Sequence, residues 1–190
     1  MTNQMKNTYE ATRIIERGIE QILEPCNRDA CRRIWSENRK LFSTAKGSLK
    51  NHQAWEGGYL HHIAETFRIA QATYTALSAI RPLESTPGFL LADAYLALFL
   101  HDIEKPWKYG NLDGQRPDLS DDARIHAFRH EKIREYGFSI TPDVENAILY
   151  AHGEGSEYSA TRRTRCPLAA FVGMCDTASA RIWFDQPRGE

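Results

Sequence analysis

Phe89-Leu-Leu-Ala-Asp-Ala-Tyr-Leu-Ala-Leu-Phe-Leu-His-Asp-Ile-Glu-Lys105 is the stretch that decides the fold. Nearly every residue before His101 is apolar, with Asp93 the plain exception, which predicts a helix over about 88–103 that is buried on nearly all sides. The helix ends in the adjacent pair His101 and Asp102, and such polar groups are buried only when something pairs with them. A divalent metal ion can pair with both, since imidazole and carboxylate suit Mn, Fe, Ni, Co or Zn. An ordinary helix end with a capping histidine and an exposed aspartate is the alternative interpretation.

Helical periodicity in the rest of the chain predicts an all-α fold in a single domain, residues 1–190. No segment shows the period-two alternation of a strand over a useful length. The predicted helices cover about residues 5–24, 27–42, 60–77, 88–103, 121–136, 142–151 and 166–184. The predicted loops cover residues 43–58, 106–121 and 153–165, where glycine, proline or polar residues concentrate.

The balanced charge of the chain gives no bulk field toward polyanions, although local basic clusters remain possible. Lys and Arg number 24 against 25 Asp and Glu, so bulk charge predicts neither a membrane nor a long nucleic acid as partner. No apolar run approaches the roughly 18 residues of a membrane-spanning helix. The polar first residues contain no signal segment, and the four cysteines show no CxxC spacing, so we expect reduced thiols in a cytoplasmic protein.

The histidines concentrate in the middle of the chain, because all 7 lie between positions 52 and 152. Asp176 is the only acid within the apolar last helix, and its alternative partner is Arg181 or Arg165. Several metal-ligand types on separate helices of one small core favour a shared metal centre over isolated core histidines. The candidate ligands are His62, His101, Asp102, His130, His152 and Asp176. By position alone, His61 competes with His62, and His126 competes with His130.

The order of these residues resembles that of the HD superfamily of metal-dependent phosphohydrolases, in the variant that holds two metal ions. Three local motifs resemble the HD domain of bacterial 3′–5′ exoribonucleases, over roughly residues 43–183. They are Lys50-Asn-His-Gln-Ala-Trp-Glu-Gly-Gly-Tyr-Leu-His-His62, His101-Asp-Ile-Glu-Lys-Pro106, and His152-Gly-Glu154 followed by Pro167-Leu-Ala and Cys175-Asp-Thr-Ala-Ser-Ala-Arg181. The register of the resemblance selects His62 over His61 and His130 over His126.

Three departures from that pattern stand out. Glu104 occupies the position of a usual glycine, and Ala151 stands before His152 where relatives often have paired histidines. No oligonucleotide-binding barrel precedes the domain, which lowers our expectation of a processive RNA substrate.

The resemblance implies a site with two divalent ions (Mn, Fe, Ni, Co, Zn or Mg). One ion would be held by His62, His101, Asp102 and Asp176, and the other by His130 and His152, with Asp102 bridging the two. Ions about 3.5–4 Å apart activate water and hold a phosphate in line. Asp102 and Lys105 are therefore the predicted catalytic residues, with Lys105 contacting phosphate oxygens; surface solubility is the alternative role of Lys105.

The predicted substrate is a nucleotide or short phosphodiester. Arginine forks suit phosphates and aromatic faces stack on bases, so we expect Trp55, Arg162, Arg163 and Arg165 to bind it, although a solvated loop is the alternative for the arginines. Other possible functions are a di-iron oxygenase on the same scaffold, a short-RNA 3′–5′ exonuclease, and a nucleotide-binding module without catalysis.

Overall fold

The computed structural model describes residues 3–85, 87–110, 116, 118–154, 159–161 and 163–183, with side chains from residue 8 onward. This part of the chain contains helices and no strand, so the predicted all-α class is confirmed. The helices are α1 (Asn3–Glu20), α2 (Pro25–Glu37), α3 (Arg39–Thr44), α4 (Gly58–Ile80), α5 (Leu91–Leu100), α6 (Lys105–Tyr109), α7 (Asp122–Tyr136), α8 (Pro142–Leu149) and α9 (Pro167–Arg181).

Helix α5 lies at the centre of the body, as its apolar sequence predicts. Its residues 94–100 are all buried, and it contacts α1, α4, α8 and α9. Asp93, the exception in the apolar run, has a local role, because its Oδ2 accepts a hydrogen bond from the backbone N–H of Leu90 at 2.9 Å. A carboxylate in the first helical turn satisfies a free backbone donor there. His101 and Asp102 follow the last residue of the helix and are buried in the interior.

The start of α4 depends on two adjacent glycines. Gly57 has a φ of 77°, a left-handed conformation that favours glycine. A Cβ on Gly58 would overlap the backbone carbonyl of Gln53, so only glycine allows this close approach. The loop before α4 is thereby seated against the helix, and Gln53 is buried near His62.

Two predicted boundaries were wrong. The helix expected over 27–42 is divided at Asn38, whose side chain donates to the carbonyl of Ile34 and to the hydroxyl of Tyr136. The loop expected from residue 106 begins instead with α6. Pro106 lies in the first turn of this helix, where a backbone N–H has no helical partner, so the missing N–H of proline costs nothing. Among the described helices, none combines the length and apolar content needed to cross a bilayer.

Candidate metal centre

Four buried side chains from three helical segments converge in the core. His62 comes from the first turns of α4, His101 and Asp102 follow the last residue of α5, and Asp176 lies in α9. One ligand atom from each residue lies within 4.8 Å of the others. His62 Nε2 is 3.1 Å from Asp176 Oδ1 and 3.3 Å from Asp102 Oδ2. His101 Nε2 is 3.3 Å and 3.2 Å from the same two oxygens.

The other ring nitrogen of each histidine is held by a hydrogen bond. His101 Nδ1 lies 2.8 Å from the carbonyl oxygen of Leu98, which can only accept, so Nδ1 carries the proton. His62 Nδ1 lies 3.1 Å from the hydroxyl oxygen of Ser179, which itself donates to Glu65. In the neutral form with the proton on Nδ1, each ring turns Nε2 toward the cluster, which is the tautomer that metal ligation requires.

The hydrogen bonds behind His62 continue through a small buried network. Ser179 Oγ donates to Glu65 Oε2 at 2.8 Å, and Gln53 Nε2 donates to the same oxygen at 2.9 Å. Burial raises the pKa of Glu65, partly offset by the hydrogen bond from Ser179. This network fixes the ring of His62 and was not predicted, because its members come from α4, α9 and the loop between α3 and α4.

The electrostatics of the four-residue cluster favour a cation. Burial alone would lower the pKa of His101, but Asp102 and Asp176 outweigh burial and raise it to about 10. Burial alone would raise the pKa of Asp176, but hydrogen bonds from His101 and His62 and their charge hold it well below its usual range. Both carboxylate oxygens of Asp102 are buried, and His62, His101, Lys105 and His152 surround them at close range. The buried carboxylate oxygens and imidazole nitrogens together fit a divalent metal ion.

Lys105 is buried beside the cluster, and its ammonium group faces inward. Its Nζ lies 2.5 Å from Asp102 Oδ2. Burial alone would lower the pKa of Lys105, but the carboxylate of Asp102 outweighs it and raises that pKa. A permanent positive charge therefore lies directly beside the predicted catalytic carboxylate.

His152 and His130, the ligands expected for a second ion, are placed differently from each other. The half-exposed His152 has its Nε2 3.2 Å from Asp102 Oδ1 and 4.0 Å from Asp176 Oδ2. His130 is exposed on α7 and lines a cavity of about 390 Å³ between α7 and α8. Among the described residues, the group of mutually close ligand atoms includes neither of them.

The competing histidines lie outside the cluster. His61 turns away from His62, and its Nδ1 accepts a hydrogen bond from Trp55 Nε1 at 2.9 Å. His126 lines the same α7–α8 cavity as His130. Burial lowers the pKa of each of these rings, His61 and His126.

The described residues among the predicted substrate-binding set, Trp55, Arg163 and Arg165, lie at the surface, and Trp55 lines a cavity between α1 and α4. Trp55 is partly exposed beside His61, while Arg163 and Arg165 are exposed before α9. Asn146 of α8 fixes this segment by donating to the carbonyl of Arg163 and accepting from the N–H of Arg165. Arg165 also lines the α7–α8 cavity. Arg162 lies outside the described residues.

A buried ion pair beside Asp102 was missed by the sequence analysis. Arg129 of α7 is 5% exposed and Glu104 is 3% exposed. Arg129 Nε lies 2.8 Å from Glu104 Oε2, and its Nη2 lies 3.2 Å from Oε1. The one available signal was Glu104 itself, which stands where the resembled motif has glycine.

Comparisons of this chain with protein-family models, with curated proteins and with solved structures give no match.

Proposed function

We propose that the chain is a divalent-metal phosphohydrolase of the HD type, acting on a nucleotide or a short phosphodiester. The observation that carries the proposal is the buried cluster of two histidines and two aspartates, with both Nε2 atoms facing carboxylate oxygens and both Nδ1 atoms engaged behind the rings. A divalent ion bound to His62, His101, Asp102 and Asp176 would polarise a phosphoryl group and acidify water.

Asp102 and Lys105 are the proposed catalytic residues of the chain. Asp102 is positioned at the end of α5, where one oxygen faces both ligand histidines and the other faces His152. The ammonium group of Lys105 is fixed 2.5 Å from Asp102 Oδ2. A preoriented cation in a water-poor site stabilises negative charge that develops on phosphoryl oxygens.

His152 supports a reaction at the open side of the cluster. Its ring is half-exposed, whereas the four clustered ligands are buried, so a substrate reaches it from solvent. From that position the imidazole can transfer a proton to a leaving oxygen near Asp102.

A small substrate is favoured over a polymer. The arginines proposed to bind phosphate, Arg162, Arg163 and Arg165, lie on one short segment between His152 and α9, and Trp55 offers one partly exposed ring. A net charge of −1 provides no extended cationic track for a long nucleic acid. We therefore propose nucleotides or cyclic dinucleotides as substrates, and poor turnover of long RNA.

A substrate panel tests this proposal. The Mn²⁺-loaded chain is incubated with nucleotides, cyclic dinucleotides and single-stranded RNA, and products are separated by chromatography. We expect at least one small nucleotide to be hydrolysed faster than the RNA, and Asp102→Asn to abolish turnover. Asp122→Asn, at an exposed position of α7, is the matched control and should retain it. Faster turnover of RNA than of every small nucleotide would favour the exonuclease, and O₂ consumption by an iron-loaded sample without phosphate release would favour the oxygenase.

A further inference from the structure

The guanidinium group of Arg129 lies beside the side of Asp102 that faces away from the clustered ligands. Arg129 Nη2 is 3.7 Å from Asp102 Oδ1, and His152 Nε2 is 3.2 Å from the same oxygen. The other oxygen, Oδ2, faces His62 and His101. The Oδ2 side therefore has two ligand histidines next to the Lys105 ammonium, which lies 2.5 Å away, whereas the Oδ1 side has one histidine next to the Arg129 guanidinium.

The Oδ1 side is where a second ion would be bound if Asp102 bridged two metals. Arg129 Nη2 occupies that region, because it lies 3.2 Å from Glu104 Oε1 as well as 3.7 Å from Asp102 Oδ1. A guanidinium cannot lose its proton in a protein, so its charge opposes a second divalent ion at this position under all ordinary conditions. Arg129 is buried and held at two points by Glu104, so it does not swing aside at small cost.

His130 does not lie where it could bind a second ion on the Oδ1 side of Asp102. It is exposed on α7, next in sequence to Arg129, and none of the contacts found among the described residues joins it to Asp102 or His152. A second ion would therefore have only Asp102 Oδ1 and His152 as near ligands. The Arg129 guanidinium, paired with Glu104, would lie beside it.

We propose that Arg129, held by Glu104, takes the place of the second metal ion, so that the centre binds one divalent ion. This deepens the proposed phosphohydrolase function and rests on it for the role of the guanidinium. Arg129 also lines the α7–α8 cavity together with His126, His130 and Arg165. Its N–H groups thus offer a fixed cationic contact for phosphoryl oxygens that enter from that cavity. Glu104 holds the guanidinium of Arg129 in place, so the two residues provide this cation together.

Metal counting tests this inference without any measurement of turnover. The chain is stripped with EDTA, loaded with excess Mn²⁺, passed through a desalting column and analysed for manganese per chain. Electron paramagnetic resonance then distinguishes an isolated Mn²⁺ ion from a spin-coupled pair. Circular dichroism confirms that each variant keeps the helix content of the wild type.

Three variants distinguish the effect of the positive charge at position 129 from the effect of the freed Glu104 carboxylate. Arg129→Lys keeps a positive charge and should bind one ion, like the wild type. Arg129→Met removes the charge and frees the Glu104 carboxylate that Arg129 pairs with near Asp102, so its manganese content should rise toward two ions per chain with a coupled spectrum. The double variant Glu104→Gln/Arg129→Met lacks that freed carboxylate and should return to one ion.

Wild-type chains that hold two ions, or none, would overturn the inference. This part of the test does not depend on whether any variant folds. A folded Arg129→Met variant that stays at one ion would also overturn it, because Arg129 would then have only a structural role. One ion per wild-type chain without turnover of any substrate would support the inference while refuting the proposed function.

Discussion

The Nε2 atoms of His62 and His101 lie 3.4 Å apart, although 39 positions separate the two residues in the chain. Each Nδ1 is engaged on the far side of its ring, with Ser179 for His62 and with the carbonyl of Leu98 for His101. Two imidazole nitrogens at this distance, with carboxylate oxygens beside them, need a proton or a bound metal ion between them. The close approach of these two Nε2 atoms is therefore the geometric basis for expecting a metal ion here.

Adjacent histidines on α4 provide a matched pair of substitutions. His62→Gln removes a ligand, and we expect its Mn²⁺ affinity to fall by more than the roughly 10–100-fold that loss of an outer hydrogen-bond partner costs. His61→Gln changes a ring that accepts a hydrogen bond from Trp55 outside the cluster, and it should bind Mn²⁺ like the wild type. Competition with a fluorescent chelator measures both affinities. Equal affinities in the two variants would place the metal elsewhere.

Ser179 is expected to control metal affinity without touching the metal. Ser179→Ala removes the hydroxyl that accepts from His62 Nδ1, so the ring loses its fixed tautomer and orientation. We expect a loss of about 10–100-fold in Mn²⁺ affinity with the helix content unchanged. Ser78→Ala, which removes a buried hydroxyl on α4 without a hydrogen-bond partner among the described residues, is the control. An unchanged affinity in Ser179→Ala would show that the hydrogen bond has no influence on the ligand.

The parts of this site that the sequence predicted are those encoded by local patterns. The apolar run before His101 identifies α5 as buried, and helical spacing together with the resembled motif brings His62 and Asp176 to the same core. The network of Gln53, Glu65 and Ser179 was not predicted. Helical periodicity identifies a buried face but not the partner that packs on it, and Gln53 and Ser179 are 126 positions apart.

The Arg129–Glu104 pair was missed for a related reason. Helix α7 has a weak apolar pattern, so nothing in its own sequence distinguishes the buried Arg129 from its exposed neighbours such as His130. Burial of Arg129 depends on a carboxylate 25 positions earlier in the chain. The short helix α6 was missed because Pro106 was interpreted as the end of a helix rather than as part of a first turn.

The ion pair makes a direct contribution to folding that can be measured. Glu104→Gln leaves the buried charge of Arg129 without its main partner, and breaking a buried pair in this way costs about 3–5 kcal/mol of the free energy of unfolding. The double variant Glu104→Gln/Arg129→Met removes both charges and should lose less than Glu104→Gln alone. Urea unfolding of the metal-free variants measures both values. A double variant less stable than the single variant would contradict this expectation.

Removal of the metal should make stability depend on pH in a defined direction. In the metal-free chain, burial alone would lower the pKa of His101, but Asp102 and Asp176 raise it to about 10. The unfolded histidine loses its proton near pH 6.5, so above that pH the native state binds more protons and the free energy of unfolding falls as pH rises toward 10. The slope is at most about 1.4 kcal/mol per pH unit for one proton.

The experiment is urea unfolding in EDTA between about pH 7.5 and 8.5, at or below the ordinary pKa of thiols. In this window His52, His61 and His126, whose native pKa values burial lowers, are nearly deprotonated in both states and contribute little to the slope. This window limits the contribution of Cys31 and Cys175, whose pKa values burial raises in the native state. His101→Gln should have a flatter slope, and so should the Mn²⁺-loaded wild type, because a ligand imidazole is neutral. A metal-free wild type whose stability rises with pH in this window would contradict the assignment.

Anomalous scattering at the manganese edge from a crystal of the Mn²⁺-loaded chain tests the central claim most directly. We predict a peak within bonding distance, about 2.0–2.3 Å, of Nε2 of His62 and His101 and of carboxylate oxygens of Asp102 and Asp176. A fully loaded crystal with no peak among these four side chains, or with its manganese elsewhere, would contradict the claim that they form the metal centre.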